Sequence, residues 1–268
     1  MALFSNSQRA IRHYLASACG DLIYGQAGIT GADTTHINAS FLHQPDDYYN
    51  NQFYEVYVYA GTNIGITKRV TDWVLSTYLL TVHSAYAAAC DATSYIELHR
   101  IFTTDEYNKA INLAIEAIAE NYLIDKIDEA TTLVADTYEY ILPTTMYFVH
   151  KITTEDEAAS GDFYNKDEID PRDWDLISPR KLKLRYGYYS ITAGKDLRIE
   201  GQGRQALVSS DEDVIELPSD WLVQKAITFL PQNKIQSNNL DATYRNALVL
   251  SAREPRRWAN PRARRVAE

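Results

Sequence analysis

Cysteine is scarce. Only Cys19 and Cys90 occur in 268 residues, with no CxxC spacing and no ligand cluster, which argues against a disulfide scaffold or a zinc module and for reduced, buried thiols in a cytoplasmic product. No apolar run approaches the roughly 18 residues a membrane span needs, so no membrane association is expected. The stretch Leu15–Cys19 superficially resembles a lipoprotein cleavage site, but Arg9, Arg12 and His13 interrupt the apolar core such a signal requires. His13, His36, His43, His83, His99 and His150 show neither HxxxH nor HExxH spacing, which argues against a metal centre and for surface or satisfied core histidines. GxSxG is missing. Gly61, Gly65 and Lys68 are mis-spaced for a phosphate loop, and Gly201 and Gly203 lack the third glycine and following helix of a dinucleotide site. No cofactor, metal or catalytic residue is therefore assigned.

Net positive charge is also lacking. The formal charge of −10 argues against a generic nucleic-acid coat or an anionic-membrane binder. The average hides an asymmetry. Asp125 to Asp175 contains fourteen acidic residues against Lys126, Lys151, Lys166 and Arg172, whereas the last sixteen residues contain six arginines against Glu254 and Glu268.

What is present is led by Thr103 to Tyr122. Tyr107, Ile111, Ala114, Ile115, Ile118 and Tyr122 recur at three- and four-residue spacing and predict an amphipathic helix, which Thr103 and Glu106 open as a capping box. Glu116 and Glu120 lie one turn apart, and with no histidine partner on that helix they are assigned to a solvated face.

Before this helix, Ser7 to Ala18 reads as a short helix with Ile11, Tyr14, Leu15 and Ala18 on one face. Strands are expected at Thr34–Phe41, Phe53–Ala60, Ile66–Trp73, Leu79–His83 and Tyr95–His99, with a turn at Pro45–Asn51. Five such strands suggest a small barrel or sandwich. After the helix, Thr132–Pro143 and Leu207–Pro218 share a phrase of Leu-Val, an acidic turn, a strand and Leu-Pro, read as a recurring hairpin. Further strands are expected at Met146–Thr154, Leu182–Ile191 and Leu197–Ile199. Ser219 and Asp241 are read as helix caps, with Pro231 ending the first of these two helices. The fold expected is α+β, in three consecutive parts: residues 1–100, 101–218 and 219–268.

Several phrases carry a resemblance. YAGTNIGITKRVTDW (Tyr59–Trp73), SYIELHRIFTTDEYNKAINLAI (Ser94–Ile115), LRIEGQG (Leu197–Gly203) and DEDVIELPSDW (Asp211–Trp221), followed by a closing helical pair, resemble virion proteins of tailed bacteriophages, specifically the neck components called head-tail connectors or adaptors. The chain departs from the small, almost wholly helical adaptors of long-tailed phages in having two β-rich parts. The resemblance implies a non-enzymatic structural protein in the virion neck, assembled in the host cytoplasm. It further implies a homo-oligomeric ring, taken as twelvefold, that binds the portal protein and tail or neck proteins and lets DNA pass without sequence-specific binding. An alternative reading, drawn from the many tyrosines, is a tail-associated carbohydrate-binding or host-recognition protein. A hydrolase stands third, because it would need two carboxylates converging in a cleft.

Two stretches are candidate partner surfaces. Arg253, Arg256, Arg257, Trp258, Arg262, Arg264 and Arg265 form an extended basic arm suited to an acidic neighbouring ring, where arginine makes bidentate pairs and tryptophan fills a pocket. Glu155, Asp156, Glu157, Asp162, Asp167, Glu168, Asp170 and Asp173 form an acidic loop, read as mobile or awaiting a partner and facing the channel or the next ring.

Overall fold

The computed structural model describes residues 6–156, 161–186 and 191–267. The chain is mixed helix and sheet and divides into two compact units, one of Met1–Ala117 with Leu207–Arg253 and the other of Ile118–Ala206 with Glu254–Glu268. These units differ from the three consecutive stretches expected: the chain leaves the first unit, builds the second, returns, and leaves again.

In the first unit, α1 (Gln8–Ala18) starts at Ser7, whose hydroxyl accepts from Ala10 N–H at 3.3 Å. Six antiparallel strands follow: β1 (Ile23–Gln26), β2 (His36–Asn38), β3 (Glu55–Ala60), β4 (Thr67–Val74), β5 (Leu79–Val82) and β6 (Tyr95–His99). They form one sheet in the order β1-β6-β3-β4-β5-β2. The sheet curls far enough for its two edges to meet at a Gly28–Asn38 bridge, where Gly28 N–H donates to Asn38 O at 2.8 Å. Closure of this kind removes exposed strand edges that would otherwise template aggregation. Period-two alternation sends Val56, Val58, Ile96 and Leu98 to the core with Val70, Trp73 and Leu80. It thereby sends Tyr57, Tyr59 and Glu97 to the opposite face.

No strand was expected at β1; at Gly25 the Phe41 ring fills the space a Cβ would take. One expectation needs correction here. Within Pro45–Asn51, Tyr48–Asn51 forms a single helical turn, α2, which buries Tyr49 against Trp73 with ring centroids 5.3 Å apart.

The central helix α3 spans Thr104–Ile118. Thr103 N–H donates to Glu106 Oε2 at 2.9 Å and Glu106 N–H to Thr103 Oγ1 at 3.2 Å, the reciprocal capping pair expected. Tyr107, Ile111, Ala114, Ile115 and Ile118 are all buried, while Glu116 and Glu120 are exposed. Each fully buried large side chain on that face contributes roughly 1.5–3 kcal/mol. Tyr122 lies beyond the helix end.

The return segment Leu207–Pro218 is not the strand its sequence suggests. It is irregular apart from one bridge between Val214 and Ser7, because its polar atoms bond to α1 and α3 instead of a ladder. Three helices follow: α4 (Ser219–Ile227), α5 (Gln232–Ser237) and α6 (Asp241–Ser251). Ser219 and Asp241 are first helical residues rather than caps, the cap positions being Pro218 and Leu240. Pro231 separates α4 from α5.

The second unit holds two antiparallel sheets. β7 (Ile124–Thr132), β9 (Met146–Thr154), β12 (Asp196–Gly203) and β13 (Arg264–Arg265) form one, in the order β13-β9-β12-β7. β8 (Glu139–Ile141), β10 (Trp174–Ile177) and β11 (Lys181–Leu184) form the other, in the order β10-β11-β8. β7 and β10 were not anticipated. Residues 187–190 of the expected Leu182–Ile191 strand lie outside the described residues. The core contains Tyr140, Leu142, Val149, Ile152, Trp174, Leu182, Leu197 and Val266. At Gly203 a Cβ would collide with the Thr145 carbonyl, and at Gly201 with that of Phe148, so these glycines answer to close strand packing rather than to a nucleotide.

Candidate functional site

The densest polar constellation lies in the first unit, on the face of β6 opposite the core. Arg12 of α1 and Glu97 of β6 have fully buried side chains, and Arg12 Nε donates to Glu97 Oε1 at 2.6 Å. The guanidinium grips Asp211 of the return segment as a fork, Nη1 to Oδ1 at 2.5 Å and Nη2 to Oδ2 at 2.9 Å. Asn108 Oδ1 accepts from Nη1 at 3.2 Å, Tyr57 O–H donates to Asp211 Oδ2 at 3.0 Å, and the Tyr57 ring lies 4.7 Å from the guanidinium carbon. His13 Nε2 contacts Glu97 Oε2, and His99 Nε2 lies 3.3 Å from Glu97 Oε1.

Burial alone would raise the Glu97 pKa and lower that of Arg12. For Glu97 this is outweighed by the contacts from His13 and His99 and the charge of Arg12, which hold its carboxyl well below the usual range. For Arg12 it is outweighed by Asp211 and Glu97, which push the guanidinium further up. Two carboxylates thus share one guanidinium, with two imidazoles at the remaining Glu97 lone pairs. The carboxylates and the guanidinium are paired with one another, so the arrangement works as a fastener for α1, β6 and the return segment.

A second carboxylate works alongside it. Asp21 Oδ1 accepts from the backbone of Arg100 and Ile101 at 2.7 and 2.9 Å, and Oδ2 from Phe102 N–H and Tyr107 O–H, both at 2.9 Å. It fixes the turn that delivers the chain from β6 into α3.

At the edge of this cluster the surface is aromatic. The His13 ring lies 5.2 Å from those of Tyr24 and Tyr59, and Tyr59 lies 5.9 Å from Tyr95. Tyr24 and Tyr95 are exposed.

A different surface is formed by α4 and α6. Ser251 and Ala247 are buried, and Trp221 Nε1–H donates to Ser251 O at 3.1 Å. Leu248, Val249 and Leu250 stand exposed, Val249 to 75%. Beside them opens a cavity of about 640 Å³ lined by Tyr14, Trp221, Val223, Leu250, Asp220 and Arg253.

The basic arm proves to be divided in its uses. Arg253 sits at that cavity in the first unit. Arg257 pairs with Asp125, Nη2 to Oδ2 at 2.5 Å, and its backbone bonds to Asn121 and Leu123. Arg264 and Arg265 form β13, and Arg264 Nη1 donates to Trp174 O at 2.7 Å with its guanidinium 4.4 Å from the Trp174 ring. Arg256, Trp258 and Arg262 face solvent, Trp258 to 77%, with the Arg256 guanidinium 5.9 Å from the indole. The arm is therefore largely docked on its own unit instead of extending from it.

The described residues of the acidic loop are likewise held by internal contacts. Glu155 and Asp156 are buried; Glu155 Oε2 accepts from Asp196 N–H at 3.2 Å, and Asp156 pairs with Lys166 at 2.6 Å. Ile169 anchors the far end, its N–H donating to Ile152 O at 2.9 Å. Asp167 sits in a 3-10 turn, Glu168 bridges to Thr153, Asp170 pairs with Arg172, and Asp162 accepts from Tyr164 O–H. Asp173 holds the base of the loop through backbone bonds to Asp170 and Arg185. Glu157 lies outside the described residues.

Among the described residues no His, Cys, Asp and Glu group is arranged to hold a metal ion, and no helix is long and apolar enough to cross a membrane. No known family profile matches the chain, and no curated protein is significantly similar to it.

Proposed function

We propose that this chain is a non-enzymatic structural protein of a tailed-phage virion, forming a homo-oligomeric neck ring that joins portal to tail and lines the DNA passage. The observation that carries the reading is the α6 ridge of Leu248, Val249 and Leu250 beside its apolar cavity. Exposed aliphatic side chains on α6, with Leu250 lining a concave apolar surface, are apolar area that a neighbouring subunit would cover. Arg256, Trp258, Arg262 and Arg265 are the arm residues left for the portal, since Arg257 and Arg264 are engaged internally. A net charge of −10 suits a conduit that must not adhere to DNA phosphates.

Negative-stain imaging and mass photometry of the purified protein, alone and with portal, test this. A closed ring that Val249→Glu prevents without altering the circular dichroism spectrum is the expected result; a monomer under all conditions overturns it. Point variants serve better than truncation after Arg253, which would also strip β13 from the second unit.

The aromatic row of Tyr24, His13, Tyr59 and Tyr95 favours a second reading, a glycan-binding tail protein, because exposed tyrosine faces suit stacking on sugar rings. Glycan-array binding lost on Tyr24→Ala would select it.

A further inference from the structure

The second unit contains a cavity of about 750 Å³ to which neither reading assigns a ligand, although the first gives one of its residues, Arg262, to the portal; its lining includes His150, Lys151, Asn165, Glu168, Trp174, Asn260 and Arg264. Its volume lies within the range of small-molecule sites. Its charge runs against that of the chain. Lys151, Arg262 and Arg264 face it, with Glu168 the one carboxylate among the lining residues, in a protein whose net charge is −10.

These cations are held in place yet keep donors to spare. Lys151 Nζ reaches Asn165 Oδ1 at 3.0 Å and Glu200 at 3.6 Å, two partners for three N–H groups. Arg264 uses Nη1 on Trp174 O and on Asp175 Oδ1 at 3.3 Å, and Nη2 on Pro171 O, from a guanidinium with five N–H groups. Arg262 is exposed, and among the described residues no ion pair engages it. Asn165 and Asn260 add amides at the same wall. The rings of Trp174 and His150 complete the wall.

We infer that this cavity is a binding site for a phosphoryl group. Guanidinium, ammonium and amide N–H donors around one concavity match an anion that presents acceptor oxygens in several directions, whereas a carboxylate presents two in one plane. The cavity exceeds the bulk of inorganic phosphate alone, so the group would be carried on a larger molecule. The inference stands whether or not the chain forms a ring.

Titration of the full-length protein by calorimetry, with Trp fluorescence as a second readout, tests it with three probes: inorganic phosphate, an oligothymidylate of eight or so nucleotides, and acetate. Saturable phosphate binding is expected, weakened about tenfold or more by Arg262→Gln, a surface change that leaves the fold intact. Glu168→Gln should tighten it a few-fold by removing like-charge repulsion. Competition by oligothymidylate would identify the source as a nucleic-acid backbone, and its failure to compete a small phosphorylated molecule. No saturable phosphate binding, unchanged binding by Arg262→Gln, or acetate binding as tightly as phosphate would each overturn the assignment.

Discussion

Arg12 and Glu97 meet at 2.6 Å with both side chains fully buried, and the pair is worth most as a constraint. Removing one partner leaves the other charge without water or a counterion, which costs about 3–5 kcal/mol. Arg12→Met strands both Glu97 and Asp211, so urea denaturation of this variant is expected to show a loss at the upper end of that range. The Arg12→Met/Glu97→Leu/Asp211→Leu triple variant should recover much of it, because apolar replacements of a buried ionic group are often tolerated.

The same cluster sets an acid limit. The folded Glu97 pKa lies below its unfolded value of about 4.3. Its contribution is therefore fully present above that value and is lost as the pH falls through the folded pKa. Stability measured from pH 7 to pH 2 should decline below about pH 4, and Glu97→Gln should flatten that part of the curve relative to the parent. An unchanged slope in the variant would assign the acid sensitivity to other carboxylates.

Thiol chemistry offers a simple check on the first unit. Burial, helped by nearby Asp21, pushes the Cys19 thiol up to about 12, and burial also raises Cys90. Both side chains are buried. A thiol reagent at pH 8 should find no reactive cysteine in the native protein and two after denaturation. Rapid labelling without denaturant would contradict the packing around α1.

In the second unit the sensitive point is a glycine. Gly203→Ala places a methyl group against the Thr145 carbonyl across β12 and β9, so the strands must separate locally. A lowered melting temperature is expected, with hydrogen exchange accelerated in β9 and β12. Gly65→Ala, at a turn with φ +84° but open space around it, should cost only about 1 kcal/mol of backbone strain.

Local signals made much of the fold legible. The period of Tyr107, Ile111 and Ile115 and the Thr103–Glu106 cap located α3, and the alternation of FYEVYVYA located β3. Where reading failed, the deciding contacts were distant in sequence. The β1 stretch gives no strand signal of its own, because Gly25 is covered by Phe41 only in the fold, and Leu207–Pro218 reads as a strand until Asp211 turns to Arg12. The ionic cluster was missed for the same reason, although two clues were present. Arg12 falls between Ile11 and Leu15 on the buried face of α1, and Glu97 stands between Ile96 and Leu98 in a strand. The arm read as unpartnered because arginine-rich, proline-containing composition says nothing about Asp125 or Trp174 waiting elsewhere in the unit.

The bond between Arg12 and Asp211 joins positions 199 residues apart, with most of the second unit threaded between them. On a ribosome adding about 5–20 residues per second, α1 and β6 emerge well before the carboxylate that completes their fastening. For on the order of ten seconds or more the nascent first unit carries a partly neutralised buried arginine. The other unit, in turn, gains its edge strand β13 only after the return segment of the first unit has been made.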